Sequence, residues 1–177
     1  MSNYYKINQY DTANGEGLRV TIFFCGCNHH CKNCFNQELW SFDVGKKFGD
    51  WTYEHLIKPT INEHIAGISI LGGEPLDPRN VQATYELCRW FKRDFPDKNI
   101  WIWTGYTLEE LAHFKPYTNE YQTKALRYTL SLIDVLVDGK FIEEQKDLTL
   151  KWRGSRNQRV IDVKKTIEQK ELVLYCD

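Results

Sequence analysis

The sequence predicts an α/β fold, a partial, open (β/α) barrel on a mainly parallel sheet, formed by one domain over residues 1–177. Three observations carry that reading. Apolar runs rich in β-branched and aromatic residues alternate with helical patterns, which implies βαβ units. Right-handed crossovers curl such a sheet toward a barrel. At 177 residues the chain is too short for a full eight-unit barrel, which takes about 250.

The elements follow in order. Leu18-Arg19-Val20-Thr21-Ile22-Phe23-Phe24 is long enough and apolar enough for a strand. A helix is predicted over 51–65, weakened by Pro59. Residues 67–71, Gly-Ile-Ser-Ile-Leu, end in Gly72-Gly73 and read as a strand buried on both faces. Asp77-Pro78 starts the next helix, because proline at the first helical position loses no hydrogen bond. Val81, Tyr85, Cys88, Phe91 and Phe95 then recur at helical spacing. A third strand covers 99–103, and Thr107 with Glu110 has capping-box spacing. Residues 121–132 are helical and 133–137 make a fourth strand, with two short strands at 159–163 and 172–175. Trp90, Trp101 and Trp103 read as core.

Composition narrows the function. Hydrophobic residues at 42% and charged residues at 27% describe a globular chain. Twenty-three basic residues against 24 acidic ones leave no excess for a nucleic-acid footprint. The first residues lack an apolar signal region, and no apolar run approaches the ~18 residues of a membrane span. The expectation is a cytoplasmic protein that engages neither nucleic acid nor membrane. Its six cysteines are then ligands or buried thiols rather than disulfides.

Cys25, Cys27, Cys31 and Cys34 fall within ten residues directly after the first strand, while Cys88 and Cys176 stand alone as inert thiols. Cys27-x3-Cys31-x2-Cys34 offers three thiolates, the ligands of iron–sulfur clusters. Three of them on a four-iron cluster leave one iron open to a small chelating molecule, as in a catalytic metal site. The competing reading is a structural zinc site using all four thiols. Closed zinc sites usually join two separated ligand pairs, and here all four lie in one loop. Cys25 and Cys27, two apart on an extended segment, would share a face, which leaves Cys25 open as an accessory ligand. His29 and His30 read as polar turn residues or as neighbours that tune a cluster.

Three more segments follow strands as the cysteine loop does: Gly72-Gly73-Glu74-Pro75, Thr104-Gly105 and Asp138-Gly139-Lys140. All four thus collect beyond the carboxyl ends of strands, where α/β sheets bind ligands. Glycines let backbone approach a ligand closely; alone, the Gly72-Gly73 turn is an ordinary βα connection that Glu74 orients. Asp138 and Lys140 alternate across Gly139 and can share a face. A cation suits a carboxylate and a carboxylate suits hydroxyls or an ammonium, against the plain reading of a surface ion pair. Arg153, Arg156, Asn157, Gln158 and Arg159 form a basic, polar patch. It reads as a solvated loop, or as a contact for a carboxylate or a partner.

The cysteine spacing resembles the radical S-adenosylmethionine superfamily. Asn14-Gly15-Glu16-Gly17-Leu18-Arg19-Val20, Cys34-Phe35-Asn36, Trp40, Gly72-Gly73-Glu74-Pro75 and Asp134-Val135-Leu136-Val137-Asp138-Gly139-Lys140-Phe141 resemble its small glycyl-radical activases. Arg153-Gly154-Ser155-Arg156-Asn157-Gln158-Arg159 is most similar to the subgroup acting on anaerobic ribonucleoside-triphosphate reductase, and the similarity spans roughly residues 10 to 163.

The resemblance implies an open barrel of the radical S-adenosylmethionine type and an oxidoreductase with two cofactors. A [4Fe-4S] cluster on Cys27, Cys31 and Cys34 cleaves S-adenosylmethionine reductively, and the resulting radical takes hydrogen from a glycine of the reductase. It implies cofactor contacts at Asn33, Cys34, Phe35, Gly72, Gly73, Glu74, Thr104, Asp138 and Lys140, with no catalytic side chain beyond cluster and cofactor. Asn33 departs from the superfamily pattern, where an aromatic residue precedes the third cysteine. The aromatic here is Phe35, so the adenine is expected on backbone near Asn33 and Phe35. The implied partners are the reductase large subunit and a low-potential electron donor of flavodoxin or ferredoxin type. Competing readings are an activase of another glycyl-radical enzyme such as pyruvate formate-lyase, a small-molecule enzyme similar to carboxydeazaguanine synthase, and a zinc-stabilised binding module.

Overall fold

Burial on two faces decides where the strands form. In a computed structural model, which describes residues 2–113 and 117–176, eight strands join one sheet: β1 (Asn3–Asp11), β2 (Leu18–Phe24), β3 (Lys46–Lys47), β4 (Ile65–Gly72), β5 (Asn99–Trp103), β6 (Val135–Asp138), β7 (Arg159–Asp162) and β8 (Leu174–Cys176). Their spatial order is β3-β1-β2-β4-β5-β6-β7-β8. The centre, β2-β4-β5-β6, is parallel, as the apolar runs predict. The expectation of a mainly parallel sheet needs correction. Among the described residues three adjacent pairings are parallel and four antiparallel, because β1 folds back on β2, β3 adds to β1, and β7 and β8 return along the other edge.

The helices are α1 (Asp50–Thr52), α2 (Val81–Asp94), α3 (Leu108–Ala112), α4 (Glu120–Leu132) and α5 (Val163–Gln169). The helix predicted over 51–65 is shorter and irregular. It runs from α1 through a π turn at Tyr53–Ile57 and a 3-10 turn at Lys58–Thr60, where Pro59 withholds a backbone donor. Helix α2 begins at Val81 rather than at Pro78. Asn80 does not cap it with its side chain; its buried amide donates instead to the carbonyls of Cys25 at 2.9 Å and Glu74 at 3.0 Å. The Thr107–Glu110 capping box is fully formed at the start of α3. No helix among the described residues is long and apolar enough to cross a membrane.

Side chains alternate across the central strands. Val20, Ile22, Phe24, Ile68, Ile70, Ile100, Ile102 and Leu136 form the main core with Leu87, Cys88 and Phe91 of α2 and Leu126 of α4. Trp101, Val135, Val137 and Val160 pack on the opposite face, with Trp103 and Trp152 partly buried against them. That inner face is covered by the sheet itself. Tyr175 on β8 packs its ring 5.1 Å from Trp101 and donates to Glu16, two residues before β2. In a flat sheet five strand spacings, roughly 24 Å, would separate β2 from β8, so the sheet bends between them.

Candidate cofactor site

The site collects at the carboxyl ends of the parallel strands, around a cavity of about 630 Å³. Its first wall is the cysteine loop. Strand β2 ends at Phe24, and Gly26 then takes φ +92°, a conformation an L side chain rarely adopts. A Cβ there would lie 2.0 Å from the Phe42 ring, so only glycine fits. This turn breaks the alternation that was expected to put Cys25 and Cys27 on one face. Cys25 enters a fully buried cluster with Phe23, Leu39 and Leu71, whereas Cys27, Cys31 and Cys34 line the cavity.

The loop is held from outside by two side chains. Asn28 donates to buried Asp77 at 2.7 Å and accepts from Arg79 at 3.0 Å. His29 places Nε2 2.9 Å from Glu74, and because a carboxylate only accepts, that nitrogen carries the proton. His29 also meets the Tyr106 ring edge-on at 4.5 Å. His30, at φ +48°, stacks on Trp40 outside the cavity.

The second wall is the turn after β4. Gly72 and Gly73 are required by packing as well as by any ligand: a Cβ on Gly73 would lie 2.5 Å from the Gly26 carbonyl, and one on Gly72 2.5 Å from that of Phe24. Glu74, expected beside the cofactor, is almost fully buried and committed to the protein. It accepts from Leu76 N, Thr104 Oγ1, Gly105 N and His29. Thr104 lines the cavity with its hydroxyl already donated.

The remaining candidates separate. Phe35 lies on the rim, its ring 5.3 Å from Phe141. Asn33 is exposed at φ +55° and does not line the cavity. Asp138 was expected to share a face with Lys140 toward the cofactor. Instead it is buried, accepts the Leu108 amide at 2.8 Å and pairs with Arg159, which also pairs with Glu109. Asp138 and Lys140 line a neighbouring cavity. The Lys140 charge still reaches Cys31: burial raises that thiol's pKa, the neighbouring Cys34 adds to it, and the Phe141 amide and Lys140 offset part of the rise. Burial pushes Cys27 up to about 12.

Sequence reasoning missed several wall residues. Asn36 reaches the Gly72 carbonyl at 3.5 Å, and Trp103, Phe141 and Trp152 add apolar surface. The basic patch divides by role. Arg156 pairs with Asp147 and Arg159 with Asp138, while Arg153 lines the main cavity with its Nε buried and unpartnered.

These features test what the cavity can hold. The three thiols line one cavity, and among the described residues no three His, Cys, Asp or Glu form a group that could hold a single metal ion. A four-iron cluster takes one thiolate per iron, so the donor set fits a cluster better than zinc. The His29 and Asn36 amides donate to the sulfurs of Cys27 and Cys34 respectively, each at 3.4 Å. The orphaned Arg153 donor fits an anionic group of a second ligand.

Comparison with known proteins agrees. A family model described as a 4Fe-4S single cluster domain matches residues 13–161. An anaerobic ribonucleoside-triphosphate reductase-activating protein of Haemophilus influenzae is 44% identical over 158 residues, 88% of this chain and 95% of the relative. Proteins of the same name from Escherichia coli K12 and Enterobacteria phage T4 are 39% and 38% identical over 160 residues, 89% of this chain and 97% and 92% of those relatives.

Proposed function

The chain belongs to the family of anaerobic ribonucleoside-triphosphate reductase-activating proteins, and on that premise we propose that it installs a glycyl radical on such a reductase. Cys27, Cys31 and Cys34 hold a [4Fe-4S] cluster, and the rest of the cavity holds S-adenosylmethionine. The observation that carries this reading is the meeting of three thiols, the Gly72-Gly73 backbone and the unpartnered Arg153 donor in one cavity. Its volume of about 630 Å³ lies within the range of small-molecule sites, ~300–1,000 Å³.

When bound, the two cofactors supply reductive cleavage of the sulfonium carbon–sulfur bond and, through it, removal of a hydrogen atom from a glycine. The rest falls to the chain. The His29 and Asn36 amides stabilise thiolate charge on Cys27 and Cys34. The carbonyls of the Gly72-Gly73 turn suit the ligand's ammonium. Arg153, assisted by Lys140, suits its carboxylate. Phe35 would receive the adenine, and Glu74 and Thr104 act by fixing the walls. The rim side chains Phe141 and Trp152 keep water from the floor. An open barrel is the form of the sheet in this reading, supported by the contact of Tyr175 with Glu16. The protein works in the cytoplasm with the reductase large subunit and a flavodoxin- or ferredoxin-type donor.

Anaerobic reconstitution tests the proposal. About four irons and four sulfides per chain, reductant-dependent release of 5′-deoxyadenosine, and a glycyl radical signal on the reductase are the expected results. Stoichiometric zinc without iron uptake overturns the cluster. A radical formed on another glycyl enzyme but not on the reductase overturns the partner.

A further inference from the structure

We propose that Trp103, Trp152, Trp101 and Tyr175 form a radical drain: a path of oxidisable rings that carries a stray oxidising equivalent from the cavity to the protein surface, where it comes to rest on Tyr175. The proposal rests on the proposed function and adds to it a protective activity for turnovers in which no glycine is in reach.

The rings run without a gap from the cavity to solvent. Trp103 and Trp152 line the cavity. Buried Trp101 lies behind them, its ring centroid 5.8 Å from that of Trp103 and 4.9 Å from that of Trp152. Tyr175 follows, 5.1 Å from Trp101 and 6.1 Å from Trp152, and is 38% exposed on β8. Three features exceed what a seal over the inner face needs. Trp152 holds φ +58°, a conformation that a bulky side chain rarely adopts, and backbone strain of this kind clusters at functional positions. The Trp103 indole fixes that strained residue by donating to its carbonyl at 2.7 Å. The path ends on a phenol that donates to the exposed carboxylate of Glu16, an acceptor for the proton that tyrosine sheds when it is oxidised.

Of the two wall indoles, that of Trp103 is already committed to a carbonyl, so the hydrogen atom comes from Trp152. Its indole N–H yields that atom to the 5′-deoxyadenosyl radical, leaving 5′-deoxyadenosine and a neutral indolyl radical. One electron from Tyr175 refills the ring, and the indole nitrogen regains a proton from cavity water. The phenol proton passes to Glu16. Trp101 relays the electron without holding charge, because the Arg19 guanidinium, 5.2 Å from its ring, disfavours a second positive charge there. The tyrosyl radical left at the surface is quenched by a hydrogen atom from a thiol in solution. Without this path the radical stays on the wall that Trp152 shares with the three cysteines.

Reconstituted holoprotein, reduced once and freed of excess reductant and thiol, is given S-adenosylmethionine without reductase and frozen for electron paramagnetic resonance. Wild type should show a tyrosyl radical whose signal narrows when the protein carries ring-deuterated tyrosine. Tyr175→Phe keeps the ring against Trp101 but has no phenol. It should lose the signal and accumulate oxidised Trp152 in peptide mass spectra, while its iron content, 5′-deoxyadenosine release and thermal midpoint stay at wild-type levels. A purely structural ring would leave both radical readouts unchanged. Glu16→Gln, which cannot take the proton, should lower the tyrosyl yield. The drain is overturned by 5′-deoxyadenosine release without a tyrosyl signal, by a signal that survives Tyr175→Phe, or by equal Trp152 oxidation in wild type and Tyr175→Phe. Failure of the wild type to release 5′-deoxyadenosine overturns instead the function on which the drain rests.

Discussion

Glu74 accepts hydrogen bonds from three separate segments: its own turn through Leu76, the end of β5 through Thr104 and Gly105, and the cysteine loop through His29. Each partner is a donor, so an amide in its place would set its own donors against them. Glu74→Gln should therefore cost about 2–4 kcal/mol of stability in the metal-free chain and slow iron uptake by releasing the loop. Urea denaturation with a wild-type midpoint would refute this. The cysteines give a sharper contrast. Cys25→Ala leaves the cavity untouched and should bind iron like wild type, whereas Cys27→Ala removes a proposed ligand and should not yield a stable cluster; iron and sulfide analysis of both variants decides it. The meeting of Cys27, Cys31 and Cys34 in one cavity was legible because the three lie in one loop. Glu74 was legible as a turn residue, but its bond to His29 joins residues 45 apart, and no local pattern encodes that. The sharing of a face by Cys25 and Cys27 failed on one dihedral, the positive φ of Gly26.

Among the elements, β2, β4, β5 and β6 were readable because strands covered on both faces must be apolar throughout. Strand β1, Asn-Tyr-Tyr-Lys-Ile-Asn-Gln-Tyr-Asp, lies toward the sheet's margin with only Tyr4 and Asp11 buried, and its polar composition concealed it. Helix α5 buries Val163 alone, too little for a helical period to stand out. The joints between elements carry two predictions. Gly73→Ala drives a methyl to 2.5 Å from the Gly26 carbonyl, backbone that cannot turn aside, and should destabilise the chain by about 2 kcal/mol or more, measured by thermal unfolding against Gly49→Ala, where a Cβ meets nothing. At the end of β6, the Arg159 hydrogen bond holds the Glu109 carboxyl at about 2, below its ordinary 4.5. A depressed carboxylate stabilises the fold above its unfolded value, and that contribution is lost as pH falls from 4.5 toward about 2; it is small because Glu109 is largely exposed. Arg159→Gln should raise the Glu109 midpoint in an NMR titration toward its ordinary 4.5. An unmoved midpoint would show that Arg159 does not set it.

At the scale of the whole molecule, the bend of the sheet brings Tyr175 of β8 onto Trp101 and Glu16 and covers the inner face. Arg19, fully buried on β2, donates to Ser69 Oγ, Ile68 O and Glu16 O and lies over the Trp101 ring. Burial lowers its pKa to about 10. Trp101 is covered in turn by Trp152 and by Tyr175 of β8. The Trp103 indole donates to the Trp152 carbonyl at 2.7 Å, which ties the cavity wall to the same cluster. Strand β8 thus acts as a lid on the inner face, although it is short, half-exposed and last in the sheet. Ending the chain after Lys170 removes that lid, uncovers Trp101 and leaves β7 as an unpaired edge. Stability should fall by about 2–4 kcal/mol, the scale of losing one aromatic side chain's burial with a strand's pairing. Tryptophan emission should shift to the red as the rings meet water. Because Trp103 and Trp152 also line the cavity, affinity for S-adenosylmethionine should fall in the reconstituted truncated protein while its iron content stays at the wild-type level. Wild-type emission and stability after truncation would mean that the inner face is sealed without β8.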